Sequence, residues 1–247
     1  MKNKIILLTG LSLALLLCGT SPRALLAYEE IVVKDGATIR GTVMVEGKLG
    51  RLPPLQVTKY KEVCKDVPNE SLVVGPGQGL RYAVITLEGI VRGKAVEKET
   101  LHELDNLHCR FMPHVLAASV GQFVVLKNSD PILHTAHASF SSAEQPQFNV
   151  GLYPGRVSRK PLITAGVVKI RCEVHPWMAA YIVVTEHPYH AISDIYGEYE
   201  LTDVPAGVYQ LKVWHESLGT QEKRLEVKPA ATQKVDFNFT APLGVKK

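Results

Sequence analysis

GVVKIRCEVHPWMAAYIVV, residues 166–184, is the stretch on which the reading of this chain turns. Two short β-branched runs, 167–171 and 180–185, flank a loop that carries Cys172, His175 and Met178. Strands of this kind bounded by turn residues read as half-buried or buried β-structure. The loop places a thiolate, an imidazole and a thioether within seven residues. Such a loop can fold three soft or borderline donors round one ion. A thiolate, two imidazoles and a weak axial thioether form a recognised copper ligand set, so a second imidazole is required from elsewhere.

Residues 124–137, VVLKNSDPILHTAH, supply it. A strand is expected to end at Asn128, and His134 follows six residues later. His137 is the neighbouring alternative. Taken alone, Cys172 reads equally as a buried thiol or a disulfide partner of Cys109, and Met178 or Trp177 as core residues. The donors gain meaning together.

Working outward, the rest of the chain is also read as all-β. Strands are expected at 38–46, 81–88, 122–127, 208–214, 222–228 and 234–239, punctuated by Gly and Pro. The one helix candidate is 95–107. Of the other histidines, His114 reads as structural, His187 and His190 as exposed loop residues or a weak second metal site, and His215 with Glu216 as a strand end.

Residues Cys172-x2-His175-Pro176-Trp177-Met178, with His134 and the lead-in FMPHVLAASVGQFVVLKN (111–128), resemble the cupredoxins, and the loop most resembles amicyanin. The resemblance covers about 109–186 and implies a Greek-key β-sandwich binding one copper ion. It implies His134, Cys172 and His175 as equatorial ligands and Met178 as the axial one. Asn128 would brace the ligand loop, and Thr135 would hydrogen-bond beside the site. The exposed edge of His175, with Pro176 and Trp177 round it, would be the electron port. Val168 and Ile170 stand where tyrosines are usual, Ala180 where a glycine often follows, and Leu133 where a proline often precedes the first histidine.

Beyond His187-Pro188 the signature D-x-x-G-x-[YF]-x-L-x-x-[VL]-P-x-G-x-Y-x-L fits Asp194, Gly197, Tyr199, Leu201, Val204, Pro205, Gly207, Tyr209 and Leu211. This tail resembles the small prealbumin-like modules of carboxypeptidase regulatory and rhamnogalacturonan lyase accessory domains. It looks short for a full module, so its sheet is expected to borrow a strand, from 180–185 or 38–46. The expected organisation is a signal peptide at 1–27, a cupredoxin-like domain with an N-terminal β extension at 28–186, and the β module at 187–247. The joined arrangement resembles exported proteins labelled methylamine-utilisation-like.

The signal reading rests on Lys2 and Lys4, an apolar run from Ile5 to Leu17, and the small Ala27 before Tyr28. Cys18 raises a lipoprotein option, against which Leu17 stands where a small residue is expected. Cleavage after Ala27 would leave 220 residues of the 247 and, with Lys2, Lys4 and Arg23 gone, reduce the net charge from +4 to +1. An extracytoplasmic, periplasmic compartment permits disulfides. Three cysteines remain. With Cys172 given to the metal, Cys64 and Cys109 are the natural pair, though the sequence by itself leaves other pairings open.

Composition excludes wholesale disorder, and no basic run exceeds two residues, so neither nucleic acid nor a polybasic membrane contact is indicated. No later segment could span a membrane. There is no paired H-x-H, H-E-x-x-H, P-loop, G-x-S-x-G or C-x-x-C-H motif. The expected function is one-electron transfer by a non-enzymatic exported copper protein, with a c-type cytochrome or dehydrogenase as partner. The alternatives are copper handling, for which four methionines are few, and a non-redox carbohydrate- or protein-binding role. Tyr189, Tyr196 and Trp214 are the candidate glycan-facing aromatics.

Overall fold

The structure, a computed structural model, describes residues 27–47 and 52–241. The expected signal sequence up to residue 26, with Cys18, lies outside them. The described chain is all-β. Along it run β1 (Glu29–Glu30), β2 (Ala37–Glu46), β3 (Val84–Glu88), β4 (Arg92–Gly93), β5 (Leu101–Leu107), β6 (Arg110–Met112) and β7 (Val115–Ser119). There follow β8 (Phe123–Asn128), β9 (His134–Phe140), β10 (Pro146–Leu152), β11 (Val157–Pro161), β12 (Gly166–Arg171) and β13 (Ala179–Thr185). The last are β14 (His190–Ile192), β15 (Glu198–Val204), β16 (Gly207–His215), β17 (Gly219–Val227), β18 (Thr232–Lys234) and β19 (Phe237–Thr240).

Two sandwiches result. One has the sheets β10-β9-β12-β13-β7 and β11-β8-β5-β6. Its core includes Leu104, Phe111, Leu126, Ile170 and Ile182, and also Cys172 and Met178. The other has the sheets β14-β3-β16-β17 and β15-β2-β18, with β19 also on β2. Its core includes Ile39, Val43, Ile85, Leu87, Tyr189, Leu211 and Phe237. Fully burying an aliphatic or aromatic side chain of this size contributes roughly 1.5–3 kcal/mol.

β13 is buried along nearly its whole length because both its faces are covered. Ala180, Ile182 and Val184 enter the first core. Tyr181 and Val183 meet Tyr82, Val84 and Trp214 in a separate apolar layer between the sandwiches. Unlike a strand with one wet face, it therefore reads as a continuous apolar run. Trp214 is half-buried against Tyr181, and Tyr189 is wholly buried, so of the three aromatics expected at hairpin tips only Tyr196 is well exposed.

The C-terminal sandwich is completed by strands from early in the chain. β2 pairs antiparallel with β15 and parallel with β18 and β19, and β3 lies between β14 and β16. A cut at residue 186 would leave β2 and β3 without those neighbours. The D-x-x-G motif shows why this join is tight. Asp194 Oδ1 accepts the N–H groups of Tyr196 and Glu198, each at 2.9 Å. Gly197 then turns at φ 79°, and a Cβ there would stand 2.2 Å from the Val43 carbonyl of β2. Only glycine lets the two backbones approach so closely.

Two expected elements differ. The helix expected at 95–107 is replaced by β5, which pairs parallel with β8 and antiparallel with β6. Burial of Leu104 and the ladder on both sides outweigh the local preference. The run 234–239 divides into β18 and β19, because between them Asp236 accepts hydrogen bonds from Thr42 N (2.9 Å) and Thr42 Oγ1 (3.0 Å).

The crossing from β13 to β14 is stitched to the end of β7. The His187 carbonyl accepts from Thr185 Oγ1 (2.6 Å) and Ser119 Oγ (3.1 Å), and His190 Nε2 lies 3.3 Å from Ser119 Oγ. His187 is buried and His190 half-buried, so these are joint residues and not the exposed loop histidines expected. At the other end of β7, His114 pairs with Glu216, linking the sandwiches. Burial holds His187, His190 and His215 neutral, each pushed down to about 4, and the Lys94 charge adds to this at His190. Between pH 6.5 and 4 the unfolded chain therefore binds protons that the fold refuses, and stability falls as pH falls through that window. Urea unfolding at pH 7 and pH 5, where most carboxylates are still ionised, should show a clear loss at the lower pH. Equal stability would contradict the burial of these rings.

A chain ending at residue 186 should be insoluble or unfold at far lower urea than the whole chain. A soluble fragment with a cooperative transition would show that β2 and β3 do not depend on β15–β19.

Candidate metal site

Cys172 follows β12 and His134 opens β9, and these two strands pair antiparallel with Arg171 opposite His137. That register brings the two donors to the same end of the sheet. The loop between β12 and β13 is closed by Met178 N–H donating to the His175 carbonyl (2.9 Å) and Cys172 N–H to the Met178 carbonyl (3.4 Å). His175 is thereby folded back toward Cys172. His134 Nδ1 and His175 Nδ1 lie 2.9 Å apart, and Cys172 Sγ lies 3.9 Å from the first and 3.6 Å from the second. All three residues are buried. Met178 is buried in the same core cluster as Cys172.

The donor triangle fits one metal ion. Ligands at about 2.0–2.3 Å from a common centre in one plane stand roughly 3.5–3.8 Å apart, close to the two sulfur–nitrogen separations. His134 Nε2 is 3.0 Å from Asp130 Oδ2. Asp130 also accepts the N–H groups of His108 and Cys109, each at 2.8 Å. Burial would raise its carboxyl, but the hydrogen bonds from His134, Cys109 and His108 outweigh that and hold it below the usual range. An ionised carboxylate only accepts, so His134 carries a proton on Nε2 and can turn the Nδ1 lone pair to the triangle.

The sulfur is prepared in the same way. Burial would raise the Cys172 thiol; hydrogen bonds involving His134, His175 and Thr135 N–H outweigh it and bring the thiol down to about 5. Thr135 N lies 3.3 Å from Sγ, and Thr135 Oγ1 accepts Glu173 N–H at 2.7 Å. Asn128 Nδ2 donates to the carbonyls of Ile132 (2.8 Å) and Leu152 (2.7 Å), and its Oδ1 accepts Asp130 N–H. It braces the loop that delivers His134. Burial would lower the His134 imidazole, yet Asp130 and Cys172 raise it overall. A second proton, on Nδ1, would compete with a metal there, so uptake should weaken as pH falls.

Cys64 and Cys109 are joined in a disulfide across 45 residues. A bridge of that span stabilises by about 4 kcal/mol in the chain-entropy picture. His137 points away, 3.0 Å from Glu173 Oε1, so it does not substitute for His134. Pro176 is exposed and Trp177 half-buried, with Trp177 Nε1–H donating to the Cys109 carbonyl at 3.1 Å. The exposed His175 edge expected between them is absent: His175 is 0% exposed. The Tyr60 ring stands edge-on to it at 5.3 Å between centroids, and Trp177 covers it at 5.0 Å. His175 Nε2 is buried with no hydrogen-bond partner among the described residues.

Two residues were not anticipated. Asp130 had a signal, a carboxylate four positions before His134 in the N-S-D-P turn. Tyr60 had none, since the disulfide and tertiary packing deliver it from a distant segment.

No protein-family model and no curated protein sequence matches the chain. Several solved structures are similar to part of the chain. A copper-containing nitrite reductase from Thermus scotoductus SA-01 is 25% identical over 38% of this chain, with a TM-score of 0.33. The chain covers 24% of that protein's length. A purple cupredoxin from Nitrosopumilus maritimus is 22% identical over 34% of this chain and 99% of its own, with a TM-score of 0.31. An amicyanin variant in its reduced Cu(I) form is 20% identical over 35% of this chain and 83% of its own, with a TM-score of 0.32.

Asp130→Asn should weaken metal affinity about 10–100-fold, the usual effect of losing a carboxylate behind a ligating imidazole. Competition with a chromophoric chelator measures it. Unchanged affinity would mean that Asp130 does not fix the His134 tautomer.

Proposed function

We propose that the chain is an exported mononuclear copper protein that transfers single electrons. The carrying observation is the buried triangle of His134 Nδ1, His175 Nδ1 and Cys172 Sγ, with Met178 buried in the same core cluster as Cys172. One thiolate and two imidazoles with a thioether nearby suit copper better than the harder divalent ions. Copper, when bound, would supply a one-electron couple. The chain's own residues do the rest. Cys172 is held as thiolate, His134 is fixed by Asp130, and the β-sandwich limits movement of the donors.

A carrier is favoured over a catalyst because Cys172, His134 and His175 are all buried, leaving no open face for a substrate. The second possible ligand group among the described residues, Cys109 with Asp130 and His134, shares His134 and has its cysteine in the disulfide. That disulfide also suits an oxidising, extracytoplasmic compartment. Among the described residues no helix is long and apolar enough to cross a membrane. The partner in this reading is another exported redox protein, such as a c-type cytochrome or a dehydrogenase. The C-terminal sandwich is read as a prealbumin-like module.

Addition of Cu(II) should produce an intense thiolate-to-copper visible band with small hyperfine splitting in electron paramagnetic resonance. Both should vanish in Cys172→Ala. Weak absorption with ordinary tetragonal copper would favour copper handling through histidines. No bound copper would overturn the redox reading.

A further inference from the structure

Segment 52–71 has no strand of its own, yet it is fastened at defined points. Leu55 N–H donates to the Val67 carbonyl at 2.9 Å. Cys64 is tied to Cys109, whose N–H and carbonyl are in turn bonded to Asp130 and Trp177. Leu55, Val57, Val63, Val67, Ile132 and Trp177 pack round the disulfide. At the tip is Tyr60. Its carbonyl accepts N–H groups from Val63 (2.9 Å) and Cys64 (2.8 Å). Its backbone lies at φ 51°, the left-handed region that a tyrosine rarely adopts. An unfavourable backbone held by two hydrogen bonds and an adjacent disulfide points to a side chain whose placement matters.

That side chain lies against His175, which is wholly buried, while Tyr60 itself is 43% exposed. His175 Nε2 is likewise shut off from solvent, with no hydrogen-bond partner among the described residues. Resting on the copper reading above, we infer that Tyr60 is a fixed cover over the outer face of His175 and determines which reagents exchange electrons with the site. Water and small reagents are kept from the imidazole edge. The turn, the disulfide and Trp177 hold the cover in place.

Two rates test this. In the copper-free protein, iodoacetamide alkylation of Cys172, read on its own peptide by mass spectrometry, should be at least tenfold faster in Tyr60→Ala. Tyr60→Phe, which keeps the ring, should alkylate at the wild-type rate. In the copper-loaded protein, Tyr60→Ala should keep the absorption band of the parent while its Cu(I) form is oxidised by ferricyanide at least tenfold faster. An intact Cys64–Cys109 bridge, verified by mass, ensures that the variants compare like with like. Wild-type alkylation and oxidation rates in Tyr60→Ala would overturn the cover. A chain that binds no copper would overturn the copper reading alone, because the alkylation ratio still decides whether Tyr60 closes the site.

Discussion

Three N–H groups converge on the carboxylate of Asp130: those of His108 and Cys109 from the β5–β6 turn and that of the His134 imidazole. Charge-assisted hydrogen bonds of this kind are roughly twice as strong as neutral ones. Through them one buried charge locks the disulfide-bearing turn to the first histidine of the donor triangle. Asn128 holds the same loop from behind by binding the carbonyls of Ile132 and Leu152. The far side is held by Trp177, which spans from the Cys172–Met178 loop to the Cys109 carbonyl. The site is thus shaped by a closed circuit of bonds among three loops. Such support keeps the donors close to one arrangement, as one-electron exchange with little rearrangement requires.

The larger architecture serves this end of the molecule indirectly. β13 is covered on one face by the first core and on the other by the layer between the sandwiches. The ligand loop therefore leads into a strand with no free face to distort. The C-terminal sandwich is bound to the first by interlacing: the chain enters it at β2 and β3, leaves to build the sandwich that carries Cys172, and returns at β14. Glu216 reaching His114, and Trp214 packed on Tyr181, continue that join on the side chains.

Much of the site was legible because its chemistry is local. Cys172, His175 and Met178 lie in seven residues, and the strand ending at Asn128 fixed where His134 would fall. Thr135 and Asn128 stand beside those anchors and do what their donor and acceptor groups allow. The β13 strand was legible from Tyr181 to Thr185 because both its faces are apolar. Harder were features made by distant pairing. β5 carries Glu, Asp and His among its leucines, and only its neighbours β6 and β8 make it a strand. The burial of His187 and Tyr189 depends on the joint, which no local pattern encodes. The expected open edge of His175 was wrong for the same reason. The loop's own residues do not encode Tyr60, which arrives from a segment positioned by a disulfide.

In the proposed function, Cys172, His134 and His175 together hold one copper ion. Copper-edge X-ray absorption on the loaded whole chain tests it most directly, because the fine structure counts sulfur and nitrogen neighbours without reference to activity. Expected is one short copper–sulfur distance with two imidazole nitrogens, and loss of the sulfur shell in Cys172→Ala. A wild-type spectrum with nitrogen and oxygen neighbours alone would contradict the claim.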